Sequence, residues 1–194
     1  MSYHIYTTPG IILKRTPFGE ANIMLHVLTR DLGLIIASAR SARLSVSKLR
    51  SALQEYTYVS LSCIKGKNGW KITNVVENGS FFYEYPEYSH VTMAQVASVL
   101  MKMIPGESPH PEIFETIESG FEFLESLREV STPDFEVLIV LRILYQLGYV
   151  VINENTEIFL KNTTEWNELI LQKIKENKVK IIGLINKALK ESQL

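Results

Sequence analysis

The sequence predicts an α+β chain, with a five-stranded β-barrel at the N-terminus followed by an all-α helical domain. Three observations predict it. Over the first eighty residues, short β-branched or alternating stretches are separated by Gly, Pro and Asp turns. After about residue 85 the apolar residues recur with helical spacing. The charge changes sign in the same region: residues 1–80 hold ten Lys/Arg against four acids, net +6, and residues 81–194 hold ten against seventeen, net −7. This split predicts a domain over 1–80 and a second over 81–194, with different partners.

The strands follow in order. Gly10–Arg15 is bounded by Pro9 and by Pro17-Phe18-Gly19. Asn22–Thr29 comes next, then an Asp31-Leu32-Gly33 turn and Leu34–Ala39. Tyr56–Ile64 alternates, with Thr57, Val59, Leu61 and Cys63 on one face. Lys65-Gly66-Lys67-Asn68-Gly69 reads as a hairpin loop leading to Trp70–Val76. Ser47–Gln54 has helical spacing, with Leu49 and Leu53 at i, i+4. Five strands with one helix between the third and fourth is the order of an OB-fold barrel.

The helices follow. Thr92-Met93-Ala94-Gln95 has the capping-box pattern and predicts a helix to about Ile104. Pro105–Pro111 reads as a loop. Glu112–Arg128 sets Ile113, Phe114, Ile117, Phe121 and Leu124 against Glu112, Glu115, Glu118, Glu122, Glu125 and Glu129. Such an acidic row is a solvated face, or a surface that docks a basic partner or repels DNA. Thr132-Pro133 opens a helix that closes at Gly148. Val150–Leu160 suggests a hairpin turning at Asn153-Glu154-Asn155, and Glu165–Glu176 and Lys180–Glu191 suggest two more helices.

Composition excludes several function classes. The chain has 194 residues, of which 46% are hydrophobic and 21% charged, an ordinary globular balance. Its single cysteine, Cys63, rules out an internal disulfide, a four-thiolate zinc site or a CxxC redox pair. His4, His26, His90 and His110 show no i, i+4 pairing, so no metal or other cofactor is expected. Alternation buries Cys63 beside Val59 and Leu61 rather than presenting it as a nucleophile. Glu20 reads as a local partner of Lys14 or Arg15, not as a catalytic acid. No catalytic residue is expected, and the chain reads as a non-enzyme. The start, MSYHIYTTPG, lacks the pattern of a secretory signal, and the apolar stretch Phe135–Leu147 is too short to span a bilayer, so a cytoplasmic protein without membrane contact is expected.

The remaining signal is basic. Lys14, Arg15, Arg30, Arg40, Arg43, Lys48, Arg50, Lys65, Lys67 and Lys71 form a set suited to phosphates, densest from Arg40 to Arg50. Base stacking on a single strand needs aromatic platforms. Phe18 and Trp70 flank turns and are the candidates, with Tyr56 and Tyr58 as further strand aromatics. The Gly66…Gly69 loop lacks the phosphate-cradling pattern.

These residues carry a family likeness. Residues 8–20, TPGIILKRTPFGE, resemble the opening strand and turn of the bacterial recombination mediator RecO family. Leu28–Gly33 (LTRDLG), Ala39–Arg43 with Ser47–Arg50, and Leu53–Tyr56 resemble its next segments in order, and Phe135–Tyr149, ending LGY, resembles a helix of its C-terminal domain. The likeness is dense over residues 8–76 and thinner beyond. Two departures stand out. The family's glycine between Arg40 and Ala42 is Ser41 here, and the four-cysteine zinc motif that many members carry after LGY is absent.

The resemblance implies binding of single- and double-stranded DNA through the basic barrel. It also implies work with RecR and with single-strand-binding protein in recombinase loading, and the annealing of complementary strands. It implies, too, a pocket in the helical domain for the acidic, apolar C-terminal tail of single-strand-binding protein, with Arg128 and Arg142 as basic candidates. A bacterial, nucleoid-associated protein would follow. The alternative is an OB-fold interaction scaffold that does not bind nucleic acid.

Overall fold

Alternation along five strands puts one face of each into a common interior, and the strands close around it. In the computed structural model, which describes residues 4–44, 47, 49–81 and 85–192, the strands are β1 (Ile5–Phe18), β2 (Asn22–Thr29), β3 (Gly33–Ala39), β4 (Thr57–Gly66) and β5 (Gly69–Ser80). They form a closed barrel in the order β1-β2-β3-β5-β4. All neighbours are antiparallel except β3 and β5, whose parallel pairing of Ala37 with Trp70 and Ser38 with Lys71 closes the barrel. This is the OB-fold arrangement anticipated from strand number and order. The interior is filled by Ile12, Ile23, Leu25, Val27, Ile35, Val59, Leu61, Cys63 and Ile72, among others.

β1 runs well beyond the predicted Gly10–Arg15, because Pro9 does not end it. Residues 5–11 pair with β4 and residues 10–18 with β2. The Pro9 carbonyl accepts from the Arg30 N–H at 3.1 Å. The N–H that proline lacks lies on that same edge, just before the β2 ladder begins, so no ladder bond is lost. The helix expected over Ser47–Gln54 is not formed among the described residues of that segment, which are turns with a single i→i−4 bond, from Leu53 N–H to the Leu49 carbonyl (3.1 Å). Ala52 and Leu53 are buried against the barrel core, with Leu49 packed beside them. That burial, rather than helix propensity, fixes the segment.

The chain divides into two compact units: residues 1–84 with 105–111, and residues 85–104 with 112–194. The loop Pro105–Pro111 therefore belongs with the barrel. The Gly106 carbonyl accepts from Leu34 N–H (3.1 Å), and the loop lies so close to Gly33 that a Cβ there would fall 2.3 Å from the Ser108 carbonyl oxygen.

The second unit consists of α1 (Glu87–Met103), α2 (Pro111–Glu125), α3 (Thr132–Gln146), the single turn α4 (Glu157–Leu160) and α5 (Glu168–Glu191), with a 3-10 turn at Glu129–Ser131. α1 starts after Pro86 rather than at the predicted capping box, and Thr92 is buried within it. α3 closes as predicted: Gly148 has φ +82°, and Tyr149 N–H reaches the Leu144 carbonyl (2.9 Å) while Gly148 N–H reaches that of Tyr145 (2.9 Å). The expected hairpin after Val150 is instead a turn and α4, and the two expected C-terminal helices are the single helix α5, which buries Ile170, Ile174, Ile181, Ile185 and Ala188, with the half-buried Lys178 between Ile174 and Ile181. The glutamates of α2 face outward or lie at its edge, opposite the buried Ile113, Phe114, Ile117, Phe121 and Leu124.

Candidate nucleic-acid interface on the barrel

The strand registers sort the basic residues. Lys14 of β1 pairs with His26 of β2, and His26 with Ile36 of β3. The next row outward is Thr16, Met24, Ser38 and Lys71, across β1, β2, β3 and β5. The strand residues that alternate with these rows, Leu25, Val27, Ile35 and Ala37, are fully buried, so both rows lie on the outer wall. The wall carries two cations, Lys14 exposed and Lys71 half-buried, beside an exposed Ile36. Burial and the neighbouring Lys14 ammonium hold the His26 imidazole below its ordinary pKa, so it is neutral near pH 7.

A second group gathers at the β1–β2 turn. Arg40 is exposed just past the end of β3. Arg43 grips the turn: its backbone N–H donates to the Ala21 carbonyl (2.9 Å) and its Nη1 to that of Gly19 (3.0 Å). Arg43 is therefore an anchor of the turn as well as a surface cation. The turn presents Phe18, 55% exposed. Arg15 is half-buried, and its backbone N–H donates to Oε1 of Glu55 (2.8 Å). Arg50 is exposed on the following turns, and Lys48 lies outside the described residues.

A third group lies at the opposite end, with Arg30 in the β2–β3 turn and Lys65 and Lys67 at the β4–β5 hairpin. Lys65 Nζ is paired with the Glu107 carboxylate and sits 5.4 Å from the centre of the Trp70 ring. The hydrogen bond from Lys65 holds the Glu107 carboxyl below its ordinary range. The nine of these cations among the described residues thus form three groups on one barrel, not one patch.

The aromatic expectations divide. Phe18 is open to a base, whereas Trp70 is 5% exposed, with Tyr6 edge-on at 5.3 Å and Lys65 over its ring. Trp70 packs the barrel end and offers no platform. Tyr56 is buried and Tyr58 half-buried. Tyr6, 37% exposed and in contact with His4 (4.5 Å), was hidden from sequence reasoning because Pro9 marked a strand boundary. Cys63 is fully buried, and burial pushes its thiol up to about 11, far from nucleophilic use.

In the helical unit the two arginines have opposite fates. Arg128 is exposed beside a groove of about 350 Å³ that also holds Val130, Asp134, Glu168, Leu169 and Lys175. Arg142 is fully buried and unavailable to any partner. Its Nε donates to the Phe159 carbonyl (2.9 Å) and its Nη1 to that of Thr163 (3.1 Å), and its guanidinium lies 4.2 Å from the centre of the Trp166 ring. Among the described residues, no group of three or more His, Cys, Asp or Glu is placed to hold a metal, and no helix is long and apolar enough to cross a membrane.

Comparison with known proteins agrees with this geometry. Residues 1–77 match the family model of the recombination protein O N-terminal domain. The chain is 34% identical over 137 residues to a DNA repair protein RecO of Dehalococcoides mccartyi, covering 69% of this chain and 54% of that one. It is 26% identical over 148 residues to the protein of that name from Thermodesulfovibrio yellowstonii (74% and 58%), and 27% over 146 residues to that from Heliobacterium modesticaldum (75% and 52%). The matches span little more than half the length of these relatives. A five-stranded barrel closed in OB order, a family match over residues 1–77 and alignments that continue into the helices point the same way: the barrel matches the N-terminal domain of recombination protein O, and the chain is similar to DNA repair protein RecO over little more than half of that protein's length.

Proposed function

We propose that this protein is a non-enzymatic DNA repair and recombination mediator that binds single- and double-stranded DNA through its barrel. The observation that carries the reading is the placement of Lys14 and Lys71 on the outer wall between two further basic groups, at the β1–β2 turn and at the β4–β5 hairpin. In OB-folds this wall and these two loops form the groove for oligonucleotides. Lysines and arginines there neutralise phosphates and release counterions, and Phe18 adds a stacking surface. Neither binding nor strand annealing needs a catalytic base or a metal. The names of the relatives support a role in repair.

By the same reading the helical unit serves protein partners. The groove beside Arg128 sets the exposed Val130 and Leu169 next to Arg128 and Lys175, a combination that suits an acidic, apolar peptide such as the tail of single-strand-binding protein. A RecR-like protein would be the second partner in recombinase loading.

The test is a titration of fluorescent single-stranded and duplex DNA at several salt concentrations. Wild type is expected to bind with a strong inverse salt dependence. Lys14→Glu/Lys71→Glu and Arg40→Glu/Arg50→Glu are each expected to flatten the single-strand slope by about 1.4, at roughly 0.7 per phosphate lost. Absence of binding by wild type even at low salt overturns the reading and leaves the barrel as an interaction scaffold.

A further inference from the structure

We propose that the barrel end around Trp70 is a one-nucleotide subsite for single-stranded nucleic acid, in which Lys65 takes a phosphate, Tyr6 takes a base, and Glu107 occupies the phosphate position until the strand displaces it. The proposal rests on the nucleic-acid reading of the barrel and assigns it a particular place.

The first observation is the Lys65–Glu107 pair. A barrel read as a phosphate binder carries, on one of its own cations, a carboxylate from its own chain. A carboxylate and a phosphate diester offer a lysine the same thing, a negative charge shared by two acceptor oxygens. Glu107 is held ionised by this contact. The two side chains remain 55% and 44% exposed. An exposed pair of this kind contributes little net stability, so a polyanion is able to exchange with it.

The second observation is that the carboxylate is delivered by a built contact. Gly33 has φ +73° and no space for a Cβ against Ser108, and Leu34 N–H holds the Gly106 carbonyl. The β2–β3 turn and the 105–111 loop therefore fit each other on either side of Glu107. A chance pairing of two long surface side chains would not need a glycine of left-handed backbone beneath it.

The third observation is the aromatic arrangement. Tyr6 and Lys65 both contact the buried Trp70 ring, at 5.3 and 5.4 Å. Tyr6 stands opposite Cys63 in the β1–β4 ladder, two residues along β4 from Lys65. A cation and an exposed ring thus share one support, as a nucleotide's phosphate and base require. Trp70 is the floor of this subsite and Tyr6 its platform.

The experiment uses the full chain with a fluorescent oligothymidylate and an abasic strand of equal length, titrated across salt. Glu107→Gln is expected to bind both strands about three- to ten-fold tighter at low salt, with a slope more negative by roughly 0.7, one phosphate's worth. Lys65→Ala in the Glu107→Gln background is expected to remove that gain. Tyr6→Leu is expected to weaken the thymidylate strand about ten-fold and leave the abasic strand unchanged, while Tyr6→Phe binds as wild type does. A loss of packing on Trp70 would weaken both strands alike, so the abasic strand separates stacking from folding. If wild type binds DNA and Glu107→Gln gains nothing, or Tyr6→Leu affects both strands equally, the subsite is wrong and the wider reading stands. If neither wild type nor Glu107→Gln binds at low salt, the nucleic-acid reading itself fails and takes the subsite with it.

Discussion

The barrel and the helical unit use their cations in opposite ways. On the barrel, Lys14, Arg40, Arg50 and Lys67 are exposed: strand alternation turns Lys14 outward, and turns carry the other three. In the helical unit, Arg142 stands in an almost wholly apolar helix and is fully buried. α3 is covered on most of its circumference, so position on the helix does not distinguish a surface cation from an interior one. What takes Arg142 inside is the segment that follows α3. The carbonyls of Phe159, in the single turn α4, and of Thr163, beyond it, accept from its guanidinium, and Trp166 covers one of its faces. The segment after LGY carries no cysteine. Here Arg142 and Gln146, whose Nε2 donates to Oγ1 of Thr116 (2.8 Å) and of Thr163 (2.9 Å), hold it with hydrogen bonds.

The largest effect that sharpens this contrast is expected at Arg142. Burial lowers its pKa to about 10, so it remains a cation at neutral pH. Arg142→Ala leaves two carbonyls unsatisfied and a cavity against Trp166, and is expected to destabilise the helical unit by about 3 kcal/mol. Arg142→Met fills the space and removes the buried charge but leaves the same two carbonyls without a donor, and is expected to cost less, about 2 kcal/mol. Each unit contains one of the chain's two tryptophans, so urea unfolding followed by Trp166 fluorescence in a Trp70→Phe background reads the helical unit alone. Equal losses in the two variants would show that Arg142 acts through its hydrogen bonds alone and not through packing. Charge reversal of Arg40, by contrast, is expected to leave stability within about 0.5 kcal/mol of wild type.

The same contrast explains what the sequence made legible. Alternation with Gly and Asp turns is a local signal, so the five strands and their order could be read, as could the basic character of the first eighty residues. Three features depend on contacts distant in sequence and could not. Pro9 is tolerated inside β1 because of where the β2 ladder starts. Trp70 is buried because Tyr6 and Lys65, 64 and five residues away in sequence, close over it. Glu107 reaches Lys65 because the loop after α1 returns to the barrel. The second-half elements were placed less well wherever irregular chain intervenes, as between Val150 and Asn167, since side-chain bonds from α3 rather than local propensity decide its course.

An intermediate effect is expected in the barrel core at alkaline pH. Burial raises the Cys63 thiol from 9.0 to about 11, and burial with a smaller contribution from Glu55 raises the Tyr56 hydroxyl from 10.0 to about 12. Both groups stay protonated in the folded barrel at a pH where the unfolded chain has released its protons. The unfolded state therefore gains from ionisation, and stability is lost as pH rises from 9 to 11 through Cys63 and from 10 to 12 through Tyr56. The Cys63 part is expected to total about 2 kcal/mol. Cys63→Ala starts from a lower stability at pH 8 because of the methyl-sized void, yet its stability is expected to fall less steeply between pH 9 and 10.5. Parallel curves for the two proteins would show that the thiol meets water in the folded state.

The smallest effect concerns the turn that carries Arg40 and Arg43, and it bears on whether the departure from the family's glycine altered the site. Ser41 has φ +53°, in the left-handed region that glycine enters without steric cost. The backbone thus keeps the conformation a glycine would have there, and the serine is accommodated by a bond from its N–H to Oδ1 of Asn22 (3.0 Å). Arg43, two residues on, still reaches Ala21 and Gly19. Restoring glycine removes the Cβ strain of roughly 1 to 2 kcal/mol but adds freedom to the unfolded chain, worth about 0.4 to 1 kcal/mol in the other direction. Ser41→Gly is therefore expected to stabilise the barrel by about 0.5 kcal/mol and to leave the salt slope of DNA binding unchanged, because the turn's cations keep their positions. Ser41→Val, which forces a β-branched side chain into the same φ, is expected to destabilise by more than 1 kcal/mol and to loosen the Arg43 grip on the β1–β2 turn. If Ser41→Gly instead lowers stability, the serine is making a contact that outweighs its strain, and the turn differs from the family's in more than the identity of one residue.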